Sequence, residues 1–323
     1  MLRPDGVAFA VQAFLTLQRH CSFGLAPARS WFDRPGLRAK RTARKKASVS
    51  IMKEPHLAPV KKHSISGLVK TGVVSSANVR PVALLFLNGS CPRVSISPEC
   101  FVRLWGRAHV RICADGGANR LYDGCSDDQN ARRHAYVPSY IVGDLDSLRP
   151  EVLSYYSCRG TQIQEDRDQH SNDLMKGIRL AVQQLRHTSQ ETSLPDADEK
   201  SLPAMVLLGC DGGRFDHVLA ALSEMHSLEY PGTLYMLSSS SWTTVLTPGM
   251  HQIELDLSCE GATCGLIPLA GACESVTTSG LQWNLNGHRL ELGKFVSTSN
   301  RALESTVHVE TSGFLVWTVE QHL

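Results

Sequence analysis

From Pro81 onward the chain is written in short, continuous apolar runs, each ending in Gly, Asp or Asn. Val82–Leu87 stops at Asn88-Gly89, Val110–Ala114 at Asp115-Gly116-Gly117, Tyr140–Val142 at Gly143-Asp144, and Met205–Leu208 at Gly209. Runs that do not alternate are buried on both faces, as strands of a parallel sheet are. Between them, residues 172–186 put Leu174, Ile178, Ala181, Val182 and Leu185 on one helical stripe. Residues 216–229 do the same with Leu219, Leu222, Met225 and Leu228. Strands alternating with helices predict an α/β layer fold. After Pro231 the helical period gives way to alternation in His251–Leu257, Glu274–Leu285, His288–Ser297 and Thr306–Glu320, with Gly-containing turns between them. That pattern predicts an antiparallel β-sandwich. The expected architecture is a mainly parallel α/β domain over residues 81–235 followed by a β-sandwich over 236–323, with the boundary near 232–240.

Composition changes the picture only at the N-terminus. The 323 residues carry a net charge of +2, but residues 1–62 hold 13 Lys/Arg against 3 Asp/Glu and residues 63–323 hold 20 against 28. The body is therefore acidic, and the basic block Arg38–Lys46, without adjacent aromatic platforms, reads as a solvated tail rather than a nucleic-acid site. No apolar run reaches the ~20 residues of a membrane-spanning helix, so no membrane role is expected. Residues 1–30 have the composition of a mitochondrial presequence, or of a dispensable extension before a second start at Met52, the reading preferred here. Residues 47–80 read as linker, which makes 1–80 a disordered basic extension and the cytoplasm the expected compartment, with mitochondria as the alternative. The ten cysteines form no CxxC pair, which argues against finger-type zinc sites and for a reducing environment.

The strand ends carry the candidate chemistry. Asp115, Asp144, Asp146 and Asp216 all follow predicted strands, and carboxylates converging on one sheet edge repel one another unless a cation lies among them. Mg²⁺ bridging to phosphate oxygens suits such a site better than a Ca²⁺ cage. In Gly143-Asp144-Leu145-Asp146-Ser147, extended chain would point both carboxylates to one side, although a polar turn with a helix N-cap fits the same residues. Gly116 and Gly117 would let backbone approach a phosphate, or form an ordinary tight turn. Asp173 and Lys176, three apart at the start of a helix, could present a metal ligand and a phosphate-facing ammonium, or a plain ion pair. Gly209–His217 joins three glycines to Arg214 and Asp216, a composition suited to an anion site. In the sandwich, Trp283 beside the Ser297–Asn300 donors is a candidate platform for a flat heteroaromatic ligand, or core.

Together, Ala-Asp-Gly-Gly-Ala-Asn at 114–119, Gly-Asp-Leu-Asp-Ser at 143–147, the Asp-Gln…Asp…Lys run at 168–176, Gly-Arg-Phe-Asp-His at 213–217, Gly-Leu-Gln-Trp-Asn-Leu at 280–285 and Ser-Thr-Ser-Asn at 297–300 resemble eukaryotic thiamin pyrophosphokinases, in that family's order. The resemblance covers roughly residues 82–320. It implies transfer of the pyrophosphoryl group of ATP to the hydroxyl of thiamin, giving thiamin diphosphate and AMP, by a homodimer with active sites between subunits. By motif, Asp144, Asp146 and Asp173 would hold Mg²⁺, Arg214 and Asp216 would lie at the reacting centre, and Asp115, Gly116, Gly117, Asn119, Lys176 and Gly213 would meet ATP. Trp283, Ser297, Ser299 and Asn300 would meet thiamin, and either Asp216 or Asp146 would take the alcohol proton. Two departures stand out: His170 replaces a further Asp of the family, and Cys210 replaces a Gly. A catalytically silent binder of thiamin or nucleotide, and a metal-dependent glycosyltransferase using the DxD, are the competing readings.

Overall fold

The computed structural model describes residues 60–69, 81–89, 98–124, 133–191, 203–211, 214–227, 232–257 and 260–321. The expectations about residues 1–59 and about Gly213 lie outside this set. No described helix is long and apolar enough to cross a membrane.

The four apolar runs form β2 (Val82–Phe86), β3 (Val110–Ala114), β4 (Tyr140–Gly143) and β6 (Ala204–Leu208). With β5 (Gln162–Glu165) and β7 (Thr233–Leu237) they pair in parallel in the order β7-β6-β2-β3-β4-β5. Alternate residues of β2 enter two cores. Val82, Leu84 and Phe86 face a layer with Phe101, Leu104 and Tyr156. Ala83 and Leu85 face Leu174, Ile178, Ala181 and Leu185, as a pleated strand requires.

Five longer connecting helices cover the faces: α2 (Pro98–Arg107), α3 (Gly117–Gly124), α4 (Pro150–Ser157), α5 (Asp173–Glu191) and α6 (Phe215–Ser227). A shorter helix, α1 (Ser66–Val69), precedes β2. Pro98 and Pro150 occupy first-turn positions where a missing N–H costs nothing. Asn172 caps α5, its Oδ1 accepting the Met175 N–H at 2.9 Å. Helix α5 lies so close to β2 that a Cβ on Gly177 would fall 2.6 Å from Leu85 Cδ1, so the mid-helix glycine is a packing requirement.

The parallel sheet does not stop at the expected boundary. β7 also pairs antiparallel with β8 (Ser241–Leu246), and β15 (Leu315–Gln321), β10 (Glu260–Ile267) and β13 (Ser297–Arg301) extend the same sheet to ten strands. A second sheet of five strands, β1 (Lys61–His63), β9 (Gly249–Glu254), β14 (Thr306–Thr311), β11 (Cys273–Ser279) and β12 (His288–Leu290), completes the β-sandwich. Ile253, Val276, Val307, Leu315 and Trp317 belong to one core with Phe86 and Leu104.

The linker expectation for 47–80 is corrected at its described part. Lys61–His63 pairs in parallel with β9, and Ile65 and Leu68 are buried in the shared core. Two apolar residues three apart are too few to register as periodicity.

Candidate functional site

The carboxyl ends of β3 and β4 bring three carboxylates together. Ligand oxygens of Asp115, Asp144 and Asp146 all lie within 4.8 Å of one another. The backbone is specialised to do it: Asp115 has φ +43° and Leu145 φ +65°, left-handed values that side chains other than glycine's adopt at a cost. Of the two readings of the Asp-Leu-Asp segment, extended chain or polar turn, the backbone adopts the turn. Leu145 turns it back on itself, and the Asp146 N–H donates to Asp144 Oδ1 at 3.3 Å, so a turn rather than a pleat aims the two carboxylates. Gly143 is demanded by proximity, since a Cβ there would fall 2.7 Å from Asp115 Cβ.

Asp115 is 1% exposed. Its Oδ2 accepts the Ser147 N–H at 3.2 Å, whereas its buried Oδ1 has no hydrogen-bond partner among the described residues. Burial pushes its carboxyl above the usual range, against the lowering effect of the Ser147 bonds. Asp173, in the first turn of α5, is raised to about 6 by burial and by the charges of Asp115, Asp144 and Asp146, with Lys176 opposing. An orphaned buried carboxylate oxygen within a group of mutually repelling acids is the donor set of a hard divalent cation. Asp173 faces this group electrostatically but stands outside the tight trio, which contains Asp115 in its place.

Lys176 is buried, its ammonium 3.8 Å from Asp173 Oδ1. His170 is exposed, and the turn before α5 is organised instead by Asp168, which accepts the His170 N–H at 2.9 Å and the Ser171 hydroxyl at 2.6 Å. The replaced acid is thus outside the carboxylate group. Cys210 is buried, and its thiol is pushed well above its ordinary value by burial, so it acts as a small hydrophobe.

Asn119 positions the Asp-rich loop. Its Nδ2 donates to the Ser147 carbonyl at 2.7 Å and its Oδ1 accepts the Arg149 N–H at 3.1 Å. Gly116 and Gly117 are buried, and a Cβ on Gly117 would fall 2.1 Å from the Phe86 carbonyl oxygen. Across the sheet end, at the start of α6, Arg214 and Asp216 form an exposed bidentate pair, Nε to Oδ1 at 3.1 Å and Nη2 to Oδ2 at 2.5 Å. That pairing holds the Asp216 carboxyl below the usual range. Asn88, at the end of β2, joins the site unannounced: its Oδ1 accepts from Arg120 Nε at 3.0 Å. The Asn-Gly pair closing that apolar run was its only mark in the sequence.

On the sandwich, Trp283 is 57% exposed. Its backbone is clamped by buried Asn300, whose Oδ1 accepts the Trp283 N–H at 3.2 Å and whose Nδ2 donates to the Trp283 carbonyl at 2.9 Å and to Ser297 Oγ at 3.2 Å. Ser297 and Asn300 thus hold the aromatic platform. Ser299, at φ +55°, lines a separate open groove of about 330 Å³ with Thr263, Thr298 and Thr318.

Residues 101–236 match the family described as thiamin pyrophosphokinase, catalytic domain, and residues 250–316 the family described as thiamin pyrophosphokinase, vitamin B1 binding domain. Thiamine pyrophosphokinase 3 of Oryza sativa subsp. japonica is 39% identical over 247 residues, covering 73% of this chain and 86% of its own length. Thiamine pyrophosphokinase 1 of Arabidopsis thaliana is 38% identical over 245 residues, covering 73% and 85%. Among solved structures, yeast thiamin pyrophosphokinase superposes with a TM-score of 0.68 at 25% identity, covering 83% of this chain and 93% of that one.

Proposed function

The chain belongs to the thiamin pyrophosphokinase family, and from that premise we propose that it transfers the pyrophosphoryl group of ATP to the hydroxyl of thiamin at the carboxyl ends of β3, β4 and β6. The observation that carries the reading is the trio Asp115, Asp144 and Asp146, with ligand oxygens within 4.8 Å of one another and Asp173 raised to about 6 beside them. Those four residues would hold Mg²⁺, which when bound neutralises the phosphate oxygens of ATP. Asp115 is thereby moved from the phosphate contacts to the metal side.

The chain's own residues supply position and charge. Lys176 keeps an ammonium in a buried setting next to Asp173, where its attraction for phosphate is little screened. Gly116 and Gly117 let the Asp115 turn lie close against the end of β2, with Asn119 bracing the loop that carries Asp144 and Asp146. Arg214, exposed on the rim, exchanges Asp216 for the phosphate chain. Asp216, held as the carboxylate by Arg214 until that exchange, is then released to accept the hydroxyl proton as the thiamin oxygen bonds to the β-phosphorus and AMP departs with the electron pair. Trp283 offers its indole face to the thiamin rings, on a backbone fixed by Asn300 and Ser297; Ser299 lines the separate groove.

We assign a homodimer. The support is an exposed apolar stripe on α6, Phe215 and Leu219, that leads into a groove of about 230 Å³ lined by Leu222, His226, Leu269 and Phe314. Cys158, Cys210, Cys264 and Cys273 are free thiols, which suits the cytoplasm. The test is to incubate the full chain with thiamin, ATP and Mg²⁺ and to resolve the products chromatographically. AMP and thiamin diphosphate in equal amounts are expected; ADP, or nucleotide and thiamin bound without product, overturns the reading.

A further inference from the structure

Asn88 stands where the sheet changes direction. From β2 the chain builds outward through β3, β4 and β5, then returns to add β6 and β7 on the other side of β2. The loops leaving β2 and β6 therefore flank the switch point, the crevice at which open α/β sheets take ligands. Packing there excludes side chains: a Cβ on Gly89 would fall 2.1 Å from the Gly209 carbonyl oxygen. Into this narrow place the sequence puts one amide.

The Asn88 side chain lies directly over the Asp115-Gly116-Gly117 turn, so that a Cβ on Gly116 would fall 2.3 Å from Asn88 Nδ2. Its Oδ1 accepts from Arg120 Nε at 3.0 Å. A guanidinium N–H can only donate, so this bond decides which end of the amide is the carbonyl. The amide nitrogen is thereby turned toward Gly116, and its N–H groups have no hydrogen-bond partner among the described residues. Neutral donors suit this spot. An ammonium beside Asp115 would pair with that carboxylate, whereas an amide N–H can bind a phosphate oxygen without being drawn into the acidic group.

Resting on the function proposed above, we propose that the Asn88 side-chain N–H is a ligand for the phosphate chain of the nucleoside triphosphate, and that Arg120 is its positioning residue, keeping the donor end of the amide toward Gly116. The glycine at 116 then has a second reason to be small, because any side chain would displace the amide.

The test titrates MgATP, without thiamin, into the full chain by calorimetry and follows turnover in parallel. Asn88→Asp keeps the shape and the bond from Arg120 but presents an anionic oxygen in place of the N–H. We expect nucleotide binding at least about tenfold weaker, with the KM for thiamin changed less than about twofold. Arg120→Lys, which keeps the charge but loses the planar Nε–H, should weaken binding in the native background yet add less than about twofold to Asn88→Asp. If Asn88→Asp fails to fold by circular dichroism, Asn88→Ala carries the same binding expectation. Nucleotide affinity unchanged in the Asn88 variant overturns the proposal, as does an Arg120→Lys effect equal in both backgrounds. A native chain that binds MgATP but forms no thiamin diphosphate overturns the proposed function instead, leaving the binding comparison to judge Asn88.

Discussion

Asp173 illustrates how a site can be held at the expense of the fold. Its carboxyl is raised to about 6 because ionising it means adding a charge, half out of water, to Asp115, Asp144 and Asp146. The unfolded chain ionises near pH 3.8, so the folded state binds the extra proton between those values. Metal-free stability therefore falls as pH rises from about 4 through about 6. Asp173→Asn should stabilise the metal-free fold at pH 7.5 by on the order of 1 kcal/mol, given its partial exposure, and so raise the melting temperature in chelator. The gain should vanish near pH 4, and turnover should drop at least about 100-fold. Thermal melts in chelator at the two pH values check the first part, and a rate assay the second. His170 makes the opposite case. Exposed and outside the carboxylate group, it should be replaceable: His170→Asp is expected to shift the Mg²⁺ concentration for half-maximal rate by less than about threefold. A larger shift would bring residue 170 into the metal's surroundings.

At the scale of elements, β1 is held by more than its backbone pairing with β9. His63 Nε2 lies 2.9 Å from His251 Nδ1, both rings are buried, and His251 Nε2 lies 2.7 Å from the Thr247 carbonyl oxygen. A carbonyl only accepts, so His251 carries its proton on Nε2 and receives one from His63, a chain that fits two neutral rings. Burial, with Lys61 nearby, pushes the His251 pKa down. A lowered histidine pKa contributes stability that is present above the unfolded value near 6.5 and lost as pH falls below it. The pair's contribution to stability should therefore decline from pH 7 to 5.5, so the melting temperature of His63→Leu/His251→Leu should depend on pH differently from that of the native chain over this range; parallel slopes would remove the pair from the account. This element also marks the limit of what the sequence disclosed. The buried parallel strands, α5, α6 and the acidic turns were legible because each repeats a local rule: unbroken apolar runs, a helical stripe, Asp and Gly at strand ends. β1 has three residues and β5 a polar pattern of Gln and Glu, so their existence depends on partners far along the chain. The Asn88 amide escaped for the same reason: it is fixed by Arg120 of α3, and no short window of sequence contains both.

At the scale of the whole molecule, the described residues share one sheet between a parallel and an antiparallel half, and this bears on how it comes apart. A boundary near 232–240 suggests two bodies joined by a tether, but β7 and β8 pair across it through Met236 to Thr243 and Leu237 to Trp242. Trp242 reinforces the seam. Fully buried, it packs edge-on against Tyr235 of β7 at 5.6 Å and donates from Nε1 to the buried Glu260 of β10 at 3.0 Å. Separating the halves would expose the facing edges of β7 and β8 and uncover the buried Tyr235–Trp242 contact, so neither half has a low-energy state without the other. Urea unfolding is therefore expected as one transition, with far-UV circular dichroism, weighted to the helices of the parallel half, and tryptophan fluorescence, dominated by buried Trp105, Trp242 and Trp317, sharing a midpoint. Trp242→Phe keeps the ring contact and removes only the N–H. It should cost about 1–3 kcal/mol and move both signals together, because a bond lost within the antiparallel half is felt across the seam by a single cooperative unit. If fluorescence shifts while the helical signal stays in place, the sheet is continuous in geometry but divided in stability, and the two halves of the active site would be free to open independently.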